Sequence, residues 1–305
     1  MKKTVIILLI ITLALTPSGC TIKEPDGSDQ RAERISVYTT LYVLEEFATR
    51  IGGERVEAVN LIPAGVSPHD YEPSARDIAA VVDSDLFIYN GAGMELWINK
   101  VLTNLVDTKV STLNASENAH LIITDISKNS SSYDPHTWLS LSNAIIIARD
   151  IRDALIQLDS ESEKYFQENY ELLEAELIEL DERFKKELAN LERTDFYISH
   201  AAFSYIADSY NLKQHSISGF TPEDEPSLGE LQQISASLTG QSIKYILVDP
   251  TESTKIADVL ATELGLDTIE IYTIGSLNPK QKAEGLNYYK LMELNLLALT
   301  KALTE

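Results

Sequence analysis

Three of the five histidines in this chain lie at equivalent places, where a strand-like segment gives way to a turn or a helix. They are His69, His136 and His200, in PAGVSPHDYEPS, SYDPHTWL and FYISHAAFSYIA. Neutral imidazole is the commonest protein ligand for zinc-like metals. Because three distant segments supply the rings, the pattern predicts a metal held in a cleft by the whole fold rather than by a local zinc finger.

Two acidic residues accompany these histidines. Asp70 follows His69, and Asp134 precedes Pro135 and His136. Either carboxylate could accept the second ring N–H of a neighbouring imidazole and so fix its tautomer. The alternative is that both are turn formers, since Asp before Pro needs no further reason.

The two remaining histidines have less informative surroundings. His120 lies before a predicted strand rather than after one, and His215 lies within a strand-like segment. We expect both to be structural or surface residues.

Length and charge narrow the function classes. The chain has 305 residues, enough for two domains, and 47 acidic against 25 basic residues give a formal net charge of −22. Nucleic acid is excluded as a partner because phosphate binding needs a basic footprint. An acidic protein is well solvated and mildly attracts cations.

The N-terminus has the features of an export signal. Residues 1–19 combine a basic start with the short apolar run Val5–Leu15, which suits a signal peptide rather than a lasting transmembrane helix. The ending at Cys20, the only cysteine, resembles a bacterial lipoprotein box, although Pro17 stands where that box usually has Leu. We expect lipidation at Cys20, with simple secretion as the alternative, and a flexible tether over residues 20–33.

Strands and helices alternate in the first part of the chain. The predicted strands are 34–39, 56–62 and 85–89, and the predicted helices are 41–51, 77–82 and a helical region over 95–105. Ser74 and Asp77 form a capping-type start for the second helix. Such alternation predicts a parallel sheet with helices on both faces. Ligands bind outside the carboxyl ends of such strands, which is where His69 falls.

Residues 160–191 have a different pattern. Apolar residues recur every three or four positions from Phe166 to Leu191, and no Gly or Pro interrupts them. A continuous helix of about 30 residues would be some 45 Å long. A coiled-coil dimer is one interpretation. A rigid strut between two domains is favoured, because the alternation of strands and helices resumes afterwards.

The second alternating region runs to the C-terminus. Its predicted strands are 195–199, 214–217, 244–248 and 268–274, and its predicted helices are 201–210, one capped by Ser227 and Glu230, 253–264 and 287–303. This region predicts a second α/β unit built like the first.

Five motifs, in this order, resemble the zinc/manganese solute-binding lipoproteins of ABC importers, the cluster A-I metal receptors. They are PAGVSPHDYEPSARDI, DLFIYNGAGMELW, DPHTWLSLSNA, ISHAAFSYIADSYNL and SISGFTPEDEPSLGEL. The resemblance implies an α/β fold of two lobes, each a parallel-rich sheet flanked by helices, joined by one long rigid helix. It places the metal between the lobes, on His69 and His136 from the first and His200 from the second.

The resemblance also implies an arrangement of domains and a location. An N-terminal lobe over 34–159, a linking helix over 160–192 and a C-terminal lobe over 193–305 follow the signal peptide and tether. The protein would be an extracytoplasmic, membrane-anchored monomer that delivers metal to an ABC permease, and not an enzyme.

One departure concerns the fourth ligand, which in the family is often a carboxylate near the last strand. Gly275 stands at that position in IYTIGSL, and Glu270 lies on the preceding strand. Water, or a carboxylate from elsewhere, would complete the coordination shell of the metal.

Three neutral imidazoles suit zinc better than manganese, which prefers oxygen ligands. We therefore expect Zn²⁺ as the transported ligand, with Mn²⁺ as the alternative.

Two other function classes stay open. Three histidines and a water would also suit a zinc hydrolase. The sequence has no His-Glu-x-x-His helix, however, and Glu72 is more simply part of the loop after His69. An adhesin that keeps the receptor fold is the third hypothesis, which fold alone does not exclude.

Overall fold

The computed structural model describes residues 34–125, 132–220, 226–240 and 243–305. The predicted signal peptide (1–19) and the predicted tether (20–33), which includes Cys20, lie outside the described residues. Within the described part, no helix combines the length and the apolar character that a membrane crossing requires.

The first sheet has four parallel strands in the order β2-β1-β3-β4. Its strands are β1 (Ile35–Thr39), β2 (Val56–Asn60), β3 (Leu86–Tyr89) and β4 (Ser111–Asn114). Its helices are α1 (Tyr42–Gly52), α2 (Ala75–Val82) and α3 (Ile98–Leu105). Three of the four residues of β3 are buried, as expected for a strand covered on both faces. The predicted capping box is present, since Ser74 and Asp77 exchange side-chain to backbone hydrogen bonds.

A hairpin and two long helices follow the first sheet. The hairpin consists of the short antiparallel strands β5 (Ile123–Asp125) and β6 (Ser132–Tyr133). A single 3₁₀ turn, Thr137–Leu139, leads into α4 (Leu141–Leu158). The long helix α5 (Glu163–Leu188) has 26 residues, about 39 Å, and is shorter than the predicted 30 residues.

The apolar face of α5 is buried inside the chain. It packs mainly against α1, α4 and the C-terminal helix α10 (Tyr288–Thr304). The buried residues of this face are Phe166, Tyr170, Leu173, Leu177, Leu180, Phe184 and Leu188. Because the face is already covered, it is not available to the second chain that the coiled-coil interpretation requires.

The second sheet is also parallel, in the order β10-β9-β7-β8. Its strands are β7 (Asp195–Ile198), β8 (Lys213–Ser216), β9 (Tyr245–Val248) and β10 (Asp267–Glu270). The helices of this part, before α10, are α6 (Ser204–Ser209), α7 (Leu228–Gly240), α8 (Lys255–Leu264) and α9 (Pro279–Ala283). The predicted α/β class, with two parallel sheets and a long helix, is confirmed.

One cluster of buried apolar side chains extends from the first sheet to the second. It includes Val37 and Ile88 of the first sheet, Phe196 and Ile198 of the second, and the buried face of α5. A helix that contributes to both ends of a single core holds the two sheets in a fixed relation, because packed interiors resist deformation. The predicted lobe limits, 34–159 and 193–305, stay predictions.

The segment after β10 differs from the prediction, which extended that strand to Ile274. The strand ends at Glu270, and side chains satisfy the backbone that follows. Asn295 accepts from the Tyr272 N–H and donates to the Tyr272 carbonyl, each over 2.8 Å. The chain then turns at Ile274, whose φ of 61° is unusual for a β-branched residue. It therefore leaves the sheet and passes close to the predicted metal site.

Candidate metal site

The three histidines come from three separate loops. His69 lies in the loop from β2 to α2, His136 follows β6, and His200 follows β7. For His69 and His200 this position follows from the topology, because parallel strands deliver their carboxyl-terminal loops to one edge of a sheet. His136 instead follows a strand of the antiparallel pair. His136 and His200 are each only 1% exposed, and His69 is half-buried.

The ring nitrogens of the three histidines converge. Nε2 of His136 lies 3.2 Å from Nε2 of His69 and 3.5 Å from Nε2 of His200. One nitrogen from each ring lies within 4.8 Å of the others. Nitrogens bound to one tetrahedral zinc at about 2.0–2.1 Å stand about 3.3 Å apart. The two nitrogen pairs that involve His136 therefore have nearly the spacing that a single zinc ion would impose.

A buried carboxylate orients the ring of His136. Asp134 Oδ1 lies 2.8 Å from Nδ1 of His136 and accepts the His136 backbone N–H over 3.0 Å. The Asp134 side chain is fully buried, and its backbone carbonyl accepts from the Tyr205 hydroxyl. With Nδ1 directed at the carboxylate, Nε2 is the nitrogen that faces the other two rings. The predicted role of Asp134 toward a metal stays a prediction.

His200 has a comparable neighbour that the sequence analysis did not identify. Glu252 Oε2 lies 2.6 Å from Nδ1 of His200, and both side chains are more than nine-tenths buried. Glu252 belongs to the loop between β9 and α8. The signal was available, because this loop also leaves the carboxyl end of a parallel strand, β9, the neighbour of β7.

The loop of His69 is attached to the segment after β10. Gly65 donates its backbone N–H to the Leu277 carbonyl over 3.0 Å.

The surroundings of His69 favour its neutral form. Burial, and then the neighbouring rings of His136 and His200, lowers the pKa of His69 to about 2. A lowered pKa keeps this imidazole neutral at physiological pH, which is the form that binds a metal.

Gly275 lies close to the site without contributing a side chain to it. A Cβ at this position would stand 3.1 Å from Pro68 Cγ and 3.4 Å from Trp138 Cζ2. Trp138 Nε1 donates to the Thr273 carbonyl over 2.6 Å, and the Gly275 carbonyl accepts from the Tyr42 N–H over 3.0 Å. The segment that offers a carboxylate in the family pattern is therefore present and firmly held. In the described ranges the cluster of potential ligands consists of the three imidazoles.

The other predicted positions lie outside the cluster. Asp70 is exposed, and the structure gives its carboxylate no contact with a histidine ring. The Asp70 backbone N–H closes a turn onto the Ser67 carbonyl, which is the turn-forming alternative. His120 is exposed, and its backbone N–H and carbonyl exchange hydrogen bonds with the side-chain amide of Asn143. His215 stacks on Tyr197, with ring centroids 4.8 Å apart.

This chain is similar in sequence to proteins of one family, the zinc-uptake components. The model of ZnuA, the periplasmic zinc-uptake complex component A, matches residues 37–302. The high-affinity zinc uptake system protein ZnuA of Bacillus subtilis is 31% identical over an alignment of 313 positions, which covers 99% of this chain and 98% of that protein.

Solved structures agree with that family. The zinc-bound ZnuA-like domain of AdcA from Streptococcus pneumoniae superposes with a TM-score of 0.79 at 33% identity, over 89% of this chain and 100% of that domain. The laminin-binding protein Lmb of Streptococcus agalactiae, described as having adhesin and metal-transporting activity, gives a TM-score of 0.78 at 28% identity, over 88% of this chain and 100% of its own.

Proposed function

The chain belongs to the ZnuA family of zinc-uptake components, and we propose that it captures Zn²⁺ outside the cytoplasm and delivers it to an ABC importer. The observation that carries the proposal is the convergence of three imidazole nitrogens from His69, His136 and His200. Zn²⁺ is the cargo of this site, held for transfer rather than for chemistry.

The donor set favours zinc over manganese. Three neutral imidazoles suit a borderline cation, whereas Mn²⁺ prefers carboxylate, carbonyl and water oxygens. The relatives named for zinc support the same choice. With Gly275 at the position of the family's carboxylate, water is the fourth ligand in this proposal.

Anchoring and oligomeric state belong to the same proposal. Cys20, the only cysteine, would carry the lipid that holds the receptor at the membrane near its permease. The receptor would work as a monomer. The burial of the apolar face of α5 within its own chain supports this, since that face was the principal candidate for a dimer contact.

The proposal assigns no enzymatic activity to the site. The family is one of transport components. Glu72, the residue that a hydrolase would need as a base near His69, is exposed. The buried carboxylates of Asp134 and Glu252 lie against the outer ring nitrogens of their histidines, where they orient a ligand rather than activate a water.

Zinc titration tests the proposed function. The chain from Thr21 onward, which lacks Cys20, is freed of metal and titrated with Zn²⁺ and separately with Mn²⁺ in a calorimeter. We expect one high-affinity Zn²⁺ per chain and much weaker binding of Mn²⁺. Absence of tight zinc binding, or preference for Mn²⁺, would contradict the proposal.

Adhesion is a second candidate, motivated by the likeness to Lmb. It is tested by binding of the same chain to immobilised laminin, with the His200→Ala variant in parallel. Saturable binding that survives this substitution would indicate an adhesive surface independent of the metal.

A further inference from the structure

Two of the three histidine rings at the site have a buried carboxylate beside the ring nitrogen that lies outside the cluster. Asp134 holds Nδ1 of His136, and Glu252 lies 2.6 Å from Nδ1 of His200. Asp134 is two residues from its histidine in sequence, whereas Glu252 lies in the loop after β9, a different strand of the second sheet from the one that precedes His200. Only the fold brings Glu252 to His200.

The charge of a bound cation makes these carboxylates important. Three imidazoles are neutral, so a zinc ion held by them alone would bring two positive charges into a site whose ligands are largely buried. Burying uncompensated charge is costly. Gly275 supplies no carboxylate to the metal. Asp134 and Glu252 together supply two negative charges, each one imidazole away from the ion.

The loop that carries Glu252 is held in place by its own hydrogen bonds. Asp249 Oδ1 accepts from the backbone N–H and the hydroxyl of Thr251, over 2.8 and 2.6 Å. Asp249 Oδ2 accepts from the backbone N–H and hydroxyl of Thr273, over 2.6 and 2.7 Å. The Glu252 backbone N–H donates to the Asp249 carbonyl. The carboxylate of Glu252 is thus presented to His200 by a fixed turn.

We propose that Glu252 is a positioning residue for zinc: it holds Nδ1–H of His200 so that Nε2 faces the cation, and it supplies negative charge that position 275 does not. The inference rests on the proposed zinc-receptor function and deepens it. Outer carboxylates of this kind raise the basicity of the imidazole and strengthen metal binding by about 10–100-fold.

Another histidine–carboxylate pair provides a matched control. Asp195 Oδ1 lies 2.6 Å from Nε2 of His215 in the same sheet, and this pair has no part in the cluster. Glu252→Gln and Asp195→Asn each remove one negative charge with little change in shape. Zinc affinity is measured for both by competition with a chelator of known affinity, and the thermal midpoint is measured for both without metal.

We expect Glu252→Gln to weaken Zn²⁺ binding about 10–100-fold, while Asp195→Asn leaves it unchanged. The visible absorption of bound Co²⁺ should also change in Glu252→Gln and not in Asp195→Asn, because the donor strength of His200 changes. A zinc affinity of Glu252→Gln within twofold of the wild type, with an unchanged Co²⁺ spectrum, would overturn the inference.

A second measurement needs no variant. Nitrogen-15 NMR of the histidine rings in the zinc-bound wild-type protein should show His200 coordinated through Nε2 with a protected proton on Nδ1. Coordination through Nδ1, or a freely exchanging proton there, would overturn the inference even if Glu252→Gln failed to fold.

The two hypotheses fail in different ways. If the wild type and His200→Ala bind zinc equally, the proposed site itself is wrong. If His200→Ala loses zinc and Glu252→Gln keeps it, the receptor function stands and only the role of Glu252 is rejected.

Discussion

Two histidine–carboxylate pairs of equal length lie in the second half of the molecule. His200 and Glu252 are 2.6 Å apart at the carboxyl end of the sheet, and His215 and Asp195 are 2.6 Å apart across β8 and β7. The first pair is buried, and both side chains of the second are about 30% exposed. The two pairs differ in their surroundings. His200 also meets the ring of His136, whereas His215 belongs to no cluster of potential ligands among the residues that the structure describes. A histidine next to a carboxylate is therefore a candidate metal ligand only where the topology brings further donors to it.

Replacing the histidine of each pair should give the largest difference between the two pairs. We expect His200→Ala to weaken zinc binding by at least about a hundredfold, or 2.7 kcal/mol, because one of three ligands is lost. His215→Ala should leave the affinity unchanged. Chelator competition measures both, and equal effects of the two substitutions would remove the distinction between the pairs.

Zinc should stabilise the fold through the site that includes His200 and not through His215. A ligand that binds the folded state alone, at a free concentration of 100 times its Kd, adds about 2.7 kcal/mol to the free energy of unfolding. Urea unfolding with and without Zn²⁺ should show this gain in the wild type and in His215→Ala, and not in His200→Ala. A gain retained in His200→Ala would point to zinc bound elsewhere.

The orienting carboxylate of His136 should matter less than a ligand. Asp134→Asn keeps an acceptor for Nδ1 but removes the charge, so we expect zinc affinity to fall about 10–100-fold. Asp195→Asn is the control on the exposed pair. Equal affinity of these two variants would mean that burial of the carboxylate does not increase its influence on the metal.

Crowding next to His69 should have a smaller effect. A methyl group in Gly275→Ala would press on Pro68, the residue before His69, and we expect zinc affinity to fall by less than about tenfold. Gly229→Ala is the control, because a Cβ there meets no atom closer than the Ser227 hydroxyl at 4.0 Å. The same affinity in both variants would show that the His69 loop adjusts freely.

We expect the His215–Asp195 pair to affect mainly the pH dependence of the free energy of unfolding. The hydrogen bond from His215 lowers the pKa of Asp195 below its ordinary value of 3.8. A lowered pKa means that the folded state favours the carboxylate, so the contribution is present above about pH 4 and is lost as the pH falls through that range. Partial exposure limits the contribution to less than about 1 kcal/mol. The free energy of unfolding, measured in urea, should differ more between the wild type and Asp195→Asn at pH 7 than at pH 3.

Local patterns predicted most of the elements. The alternation of strands and helices, the Ser74 capping box and the apolar stripe of α5 depend on periodicity and on short-range hydrogen bonds, which neighbours in sequence specify. The strand predicted to continue to Ile274 was wrong beyond Glu270. Distant side chains, Asp249 and Asn295, compete there for the backbone. Helix α4 and strand β4 were not predicted.

The sequence by itself determined the candidate ligands: three histidines that follow strands, with Asp134 two residues from one of them. It also determined the acidic composition and the position of Gly275 where the family pattern has a carboxylate. Only the tertiary structure decided that the three nitrogens meet, that Asp70 lies in an exposed turn, and that Glu252 lies against His200. The physical reason is that residue types and local turns are encoded within a few positions, whereas contacts between loops depend on how two sheets pack around a shared core.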